Sequence, residues 1–244
     1  MFGSRKILSI LASVVMLAGS VLSVPAYASP RAGERPAAEK ARVEVPLNLA
    51  VLIQDDLVAR VGSELGVTRD FIRSLPAGSR VMVGYITVGT LQVRQPFTND
   101  LEKAARSLRA PVASTAVSPY NPYVEVIEAL RKFDSKNKNR NAVLLISDGL
   151  DVSRGFDVTA AGQTLDLERA IREAQRREVT VYSFYAPSVG LTSRSFTAAS
   201  YGQSSLNRLS NETGGRAFFQ GATGFVTFDA YFDRLRETLN SRAA

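Results

Sequence analysis

The chain has 244 residues, a formal net charge of +7, and no Cys, His or Trp. Those absences exclude disulfides, zinc held by His or Cys, and the Ser-His-Asp and Cys-His forms of nucleophilic catalysis. Any metal ion must be a hard one held by oxygen, and stability must come from an ordinary hydrophobic core.

The first residues read as an export segment. Arg5 and Lys6 form a positive start, residues 7–24 are apolar, and Pro25 precedes the small-residue pattern Ala26-Tyr27-Ala28. Cleavage after Ala28 gives an exported chain, periplasmic or secreted, of roughly 215 residues and about +5 charge. No transmembrane segment is expected after cleavage. Without Cys there is no lipid-anchor site, and no twin-arginine pattern is present. Residues 29–42 are rich in Pro, Ala, Arg and Glu without apolar periodicity, the composition of a disordered leader. One domain then occupies 43–244. Its basic residues are scattered among acids apart from short clusters such as 136–140. Nucleic acid is therefore not an expected partner, whereas contact with an anionic envelope surface fits the charge.

From residue 43 onward, strand-like and helix-like segments alternate. Leu49–Ile53 is a continuous apolar run, the pattern of a central parallel strand covered on both faces. It stops on Gln54, Asp55 and Asp56. Leu57, Val58, Val61, Leu65, Ile72 and Leu75 recur at helical spacing, and Pro76-Ala77-Gly78 ends that helix. Residues 80–87 form a second strand, 88–90 a tight turn, and 90–96 a short antiparallel partner at an edge. Asn99 to Glu102 has the form of a capping box opening a helix through Leu108.

After a loop at 111–122, residues Tyr123, Val126, Ile127, Leu130 and Phe133 share a helical face. Residues 141–147 are a third strong strand, broken by Asp148 and Gly149. Leu167, Ala170, Ile171 and Ala174 mark the next helix, and 179–185 the fourth main strand. A long Ser/Thr/Gly-rich loop at 186–203 precedes a helix near Leu206–Asn211. A short strand at 217–219 and a helix carrying Tyr231, Phe232, Leu235 and Leu239 close the chain. This order predicts an α/β fold: a doubly wound, mostly parallel sheet with helices on both faces and one short antiparallel edge strand.

Ligands of such sheets sit outside the carboxyl ends of the strands, near the point where strand order reverses. Three segments end there in polar residues: Gln54-Asp55-Asp56, the loop around Ser118, and Asp148 to Asp151. Their carboxylates and hydroxyls are the donors a hard divalent cation needs. The same residues also have plainer roles, Asp56 as a helix cap and Asp148-Gly149 as a turn. At the level of sequence both readings stay open.

The segments "LAVLI", "SPYNPYVEVIEAL", "NAVLLISDGLD", "AIREAQRREVTVYSFY" and "LSNETGGRAFF" resemble, in this order, a von Willebrand factor A domain. The resemblance runs over residues 46–240. It implies a Rossmann-like fold and a binding function, usually toward proteins, through a metal-ion-dependent adhesion site. That site uses Asp-x-Ser-x-Ser on the first loop, a Thr on the second and an Asp on the third. Asp148 matches the third, and Ser118 stands where the Thr is expected. The first loop departs: Gln54 takes the Asp position, Asp56 the first Ser position and Val58 the second.

The motif is therefore degenerate. A rebuilt site would use Asp56, Ser118 and Asp148, with Asp55 and Asp151 in an outer shell, and would take Mg²⁺, Mn²⁺ or Ca²⁺. Arg60 and Arg154 are candidate bases to separate the acids. The expected role is protein–protein or surface interaction through loops at the carboxyl edge, without enzymatic activity. One alternative is a hydrolase using Asp56 and Asp148 as acid and base, although no Trp is present to stack a sugar. Another is a metal-free structural protein of the envelope. Neither a G-x-G-x-x-G turn after a strand nor a P-loop is present. Tyr120, Tyr123, Tyr185 and Tyr201 fall in or beside the upper loops as interface anchors or as packing. Asn211-Glu212-Thr213 forms a sequon at a helix end.

Overall fold

Leu47–Gln54 (β1) is buried along its whole length, which requires helices on both faces of a central strand. The structure, a computed structural model, describes residues 43–134, 139–155, 164–219 and 227–241. All of them fall in one compact unit, Lys40–Ala244. The expected export segment and leader, and residues 135–138 of the basic cluster, lie outside the described residues.

The remaining strands are β2 (Arg80–Thr87), β3 (Thr90–Thr98), β4 (Arg140–Ser147), β5 (Val179–Tyr185) and β6 (Ala217–Phe218). Their spatial order is β3-β2-β1-β4-β5-β6. Every pairing is parallel except β2 with β3, which sits at the edge. This is the fold class the alternation in the sequence predicts.

One face of the sheet is covered by α1 (Val61–Arg73), α2 (Leu101–Arg106) and α6 (Asp229–Ser241). The other is covered by α3 (Pro122–Leu130), α4 (Leu165–Arg176) and α5 (Phe196–Glu212). The first layer is centred on Phe184, whose ring meets those of Phe218, Phe228, Tyr231 and Phe232 at centroid distances of 4.9–5.5 Å. Such rings add directional packing to their area burial. Among the described residues, no helix is long and apolar enough to cross a membrane.

Three elements differ from the sequence expectation. α1 starts at Val61 rather than Leu57, and its N-cap is Arg60 without a side-chain bond. Leu57 instead pairs with Ser188, and Val58 N–H donates to Pro187 carbonyl at 3.0 Å, so the chain runs extended past the acids. Asp56 is therefore not a helix cap. At α2, the N-cap is Asp100, which accepts from Lys103 N–H at 2.8 Å. The expected box between Asn99 and Glu102 does not form, because Glu102 is drawn to Arg73 at 2.7 Å, and the helix ends at Arg106.

The third difference is the length of α5. It begins at Phe196, capped by the Ser195 hydroxyl, so half of the expected loop is helix. Gly202 explains why a sequence poor in helix formers is helical here. A Cβ at Gly202 would meet the Asp148 carbonyl oxygen at 1.8 Å, so close contact with the β4 exit selects glycine over helix propensity.

Candidate functional site

Strand order reverses between β1 and β4, since the chain leaves β1 for β2 on one side and β4 lies on the other. The register pairs Ile53 with Ile146, which sets the two strand exits side by side. Gln54, at the end of β1, links them. Its Oε1 accepts from Ser147 Oγ at 2.5 Å and from Asp148 N–H at 3.2 Å, and its Nε2 donates to Asp56 Oδ1 at 2.7 Å. A backbone N–H can only donate, so Asp148 fixes which way the amide points.

Asp56 is 2% exposed, and its other oxygen accepts from the Ser118 hydroxyl. Burial raises its carboxyl above the usual range, against the opposing hydrogen bonds from Ser118 and Gln54, and the charge of Asp55 adds to the rise. Asp148 is 4% exposed. Its Oδ1 accepts from Leu150 N–H and its Oδ2 from the Thr192 hydroxyl, both at 3.1 Å. Burial first, and then the charge of Asp56, push it up to about 6. The structure thus brings Asp56, Ser118 and Asp148 into one hydrogen-bonded group around Gln54. Gln54 itself carries no charge, and the carboxylate of Asp56, two residues later, stands with Asp148 as the pair of acids in this group.

Asp55 faces the other way. Arg109 meets it through two nearly parallel bonds, at 2.6 and 2.8 Å, and Val112 N–H adds a third at 3.0 Å. The guanidinium also lies 4.0 Å from the Tyr85 ring centroid. The base that meets Asp55 is therefore Arg109, which lies in no motif, rather than the expected Arg60 or Arg154. Asp151 accepts from Ser153 N–H and Ser153 Oγ, at 2.9 and 2.7 Å, and closes a turn in its own loop.

Sequence reasoning missed Ser188 and Thr192. Ser188 N–H donates to Thr192 Oγ1 at 2.8 Å, and the two hydroxyls lie 3.0 Å apart. The loop carrying them is pinned to the β1 exit by Val189 N–H on the Asp56 carbonyl at 2.9 Å. It is therefore part of the site rather than a loose insertion. Ser188, Thr192, Ser193, Ser195 and Thr197 all fall in that stretch, and nothing in their spacing singles out the pair that reaches Asp148. Of the four tyrosines, Tyr123 and Tyr185 are buried and Tyr120 is exposed. Tyr123 donates to the Gly149 carbonyl at 2.6 Å.

The donors suit a hard cation in charge and chemistry: two buried carboxylates that repel each other, plus the Ser118 hydroxyl. Each carboxylate oxygen accepts one hydrogen bond and keeps a further lone pair. Among the described residues no three of His, Cys, Asp and Glu cluster closely enough to hold a metal. Coordination would therefore rest on Asp56, Ser118 and Asp148, completed by water.

The apolar surface around this site is unusual. Eight large hydrophobic side chains are exposed among the described residues, and topology puts all eight at the carboxyl end of the sheet. Val88 follows β2, Phe219 follows β6 and Leu191 lies after β5. Val112 is held beside the β1 exit by its N–H on the Asp55 carboxylate, and Tyr120 beside the β4 exit by its carbonyl, which accepts from Val152 N–H. Val124, Leu165 and Phe196 stand in the first turns of α3, α4 and α5. Helices that run back toward the next parallel strand start at that same end.

No protein-family profile matches the chain, and no curated protein sequence does. Solved structures do. An aerotolerance-related membrane protein from Bacteroides fragilis NCTC 9343, with multiple mutations to serines, superposes with TM-score 0.54 at 13% identity, over 81% of this chain and 100% of that one. The conserved hypothetical protein BatB from Bacteroides thetaiotaomicron gives TM-score 0.54 at 13% identity, over 82% of this chain and 99% of that one. At this identity the likeness is one of fold, and it supports the α/β architecture of a mostly parallel sheet covered by helices on both faces.

Proposed function

We propose that this chain is an exported, von Willebrand A-like binding module that captures a protein partner at the carboxyl edge of its sheet. The observation that carries this reading is the gathering of every exposed large hydrophobic among the described residues at that edge. Exposed apolar area on a soluble surface is tolerated singly, and its concentration marks an interaction face. Phe196, 76% exposed, and Tyr120, 64% exposed, are the residues on which most of the affinity should rest.

Beneath this rim lie Asp56, Ser118 and Asp148, which we assign to a weak Mg²⁺, Mn²⁺ or Ca²⁺ site. A cation there would offset the repulsion between the two acids and brace the loops that carry the rim. A hydrolase has less support. Both acids are almost wholly buried, and every oxygen of the pair already accepts a hydrogen bond.

The test is replacement of Phe196 and Tyr120 by Ser. The double variant should keep the melting temperature and lose the partner that copurifies with the wild-type chain from the envelope. Retention of that partner would refute the assignment of the edge. Calorimetric titration of Mn²⁺ should give a micromolar to millimolar isotherm that Asp148→Ala removes. A flat wild-type trace would refute the cation and leave the docking edge standing.

A further inference from the structure

A second feature starts at this edge and runs down from it, in the groove between α3 and α4. Both helices lead into neighbouring parallel strands, so they run side by side in the same direction. Asn121 Nδ2 donates to Asp166 at 2.8 Å and ties their starts together. The groove encloses about 290 Å³ and is lined by Ile127, Arg131, Arg169, Arg172, Glu173 and Arg176. Every cation in it is arginine. Those at 169, 172 and 176 form one helical stripe about 10 Å long.

The acids on this face are already committed. Asp166 meets Arg169 at 3.1 Å, and Glu168 is shared by Arg172 at 3.5 Å and Arg208 at 3.7 Å. Glu173 is shared by Arg176 and Arg177, while Arg208 also meets Glu212 at 2.7 Å. Lys132 and Glu128 pair with each other. Arg131 makes no ion pair among the described residues. Guanidinium groups therefore outnumber carboxylates here, and each has five N–H donors in a fork that suits a second carboxylate. At the upper end of the groove, Val124 and Leu165 are exposed in the first turns of the two helices, and Ile127 continues the apolar strip inward. The groove thus grades from apolar above to cationic below.

We propose that this groove docks an acidic amphipathic segment of a protein partner. Its apolar side chains would lie on Val124, Ile127 and Leu165, and its carboxylates would meet Arg131, Arg169, Arg172 and Arg176. A third helix or extended segment fits between two parallel helices. The concave shape and the apolar strip of Val124, Ile127 and Leu165 at its upper end favour such a segment over a flat layer of lipid headgroups. The proposal does not depend on the cation site or on capture at the carboxyl edge.

The test is anisotropy of a labelled helical peptide with a glutamate stripe beside a leucine stripe, measured against the purified chain. Its glutamine counterpart and phosphatidylglycerol vesicles form the other arms. The glutamate peptide should bind, and the glutamine peptide should bind at least about tenfold more weakly. Arg172→Glu with Arg176→Glu should weaken binding by about tenfold or more, and Arg94→Glu on the β3 edge should not. Arg131→Glu, which lies outside the ion pairs of α4, should reproduce the loss without a change in melting temperature. Equal binding of the glutamate and glutamine peptides, or indifference to the groove arginines, would overturn the proposal. So would vesicle binding that needs those arginines in the absence of peptide binding.

Discussion

Asp55 and Asp56 are neighbours in the chain with opposite fates. Asp55 is held by Arg109, 54 residues later in sequence, and it fastens the β1 exit to the loop that carries Ser118. Asp56 joins the polar group with Ser118 and Gln54. The sequence made the acids conspicuous but not their division of labour, because the deciding partner is a distant arginine in no motif. The set Asp56, Ser118 and Asp148, which the structure brings together around Gln54, was legible in the sequence. The bridging role of Gln54 was not, since it depends on the β1–β4 register. Arg109→Ala leaves a buried carboxylate unpaired and should cost about 3 kcal/mol in urea unfolding. A loss of less than about 0.5 kcal/mol, the range of ordinary surface changes, would mean that the pair does not organise the loop.

At the scale of elements, the strands were the legible part. Their apolar runs are long, and burial on both faces leaves them no other environment. The start of α5 was not legible, because its first half is rich in Ser, Thr, Ala and Gly and shows no apolar stripe at helical spacing. Gly202 lies against Asp148, and a Cβ at Gly149 would meet the Gly202 carbonyl oxygen at 2.5 Å. The long helix thus presses directly on the site. Gly202→Ala should push the β4 exit away, with a stability loss of about 2 kcal/mol typical of overpacking. It should also shift the amide resonances of 147–150. A neutral effect with unmoved resonances would show that the approach is looser than described. The cap of α6 was equally hidden: Glu64 on α1 accepts from Phe228 N–H at 2.8 Å, across 164 residues of sequence.

For the whole molecule, burial of acids sets the dependence of stability on pH. Glu125 on α3 is buried, and its Oε2 has no hydrogen-bond partner. Burial foremost, then the charge of Glu128, raise it from 4.5 to about 7. A raised carboxyl favours the folded state while it is protonated. Its contribution is therefore full below about pH 4.5 and is lost as pH rises through about 7. Glu125→Gln should match the wild type near pH 4.5 and exceed its unfolding free energy by about 2 kcal/mol at pH 8. A constant difference across that range would contradict the assignment. The same fold that buries these acids leaves large apolar side chains exposed at one end alone among the described residues, and that polarity is the basis of the binding reading. The most direct test places a photo-crosslinking residue at position 196 on the carboxyl edge and, in a second chain, at Asn139 beside the opposite end of β4. Irradiation in cells that produce the chain should give a discrete protein adduct from position 196 and none from 139. Adducts from both positions alike, or from neither, would contradict a binding face at the carboxyl edge.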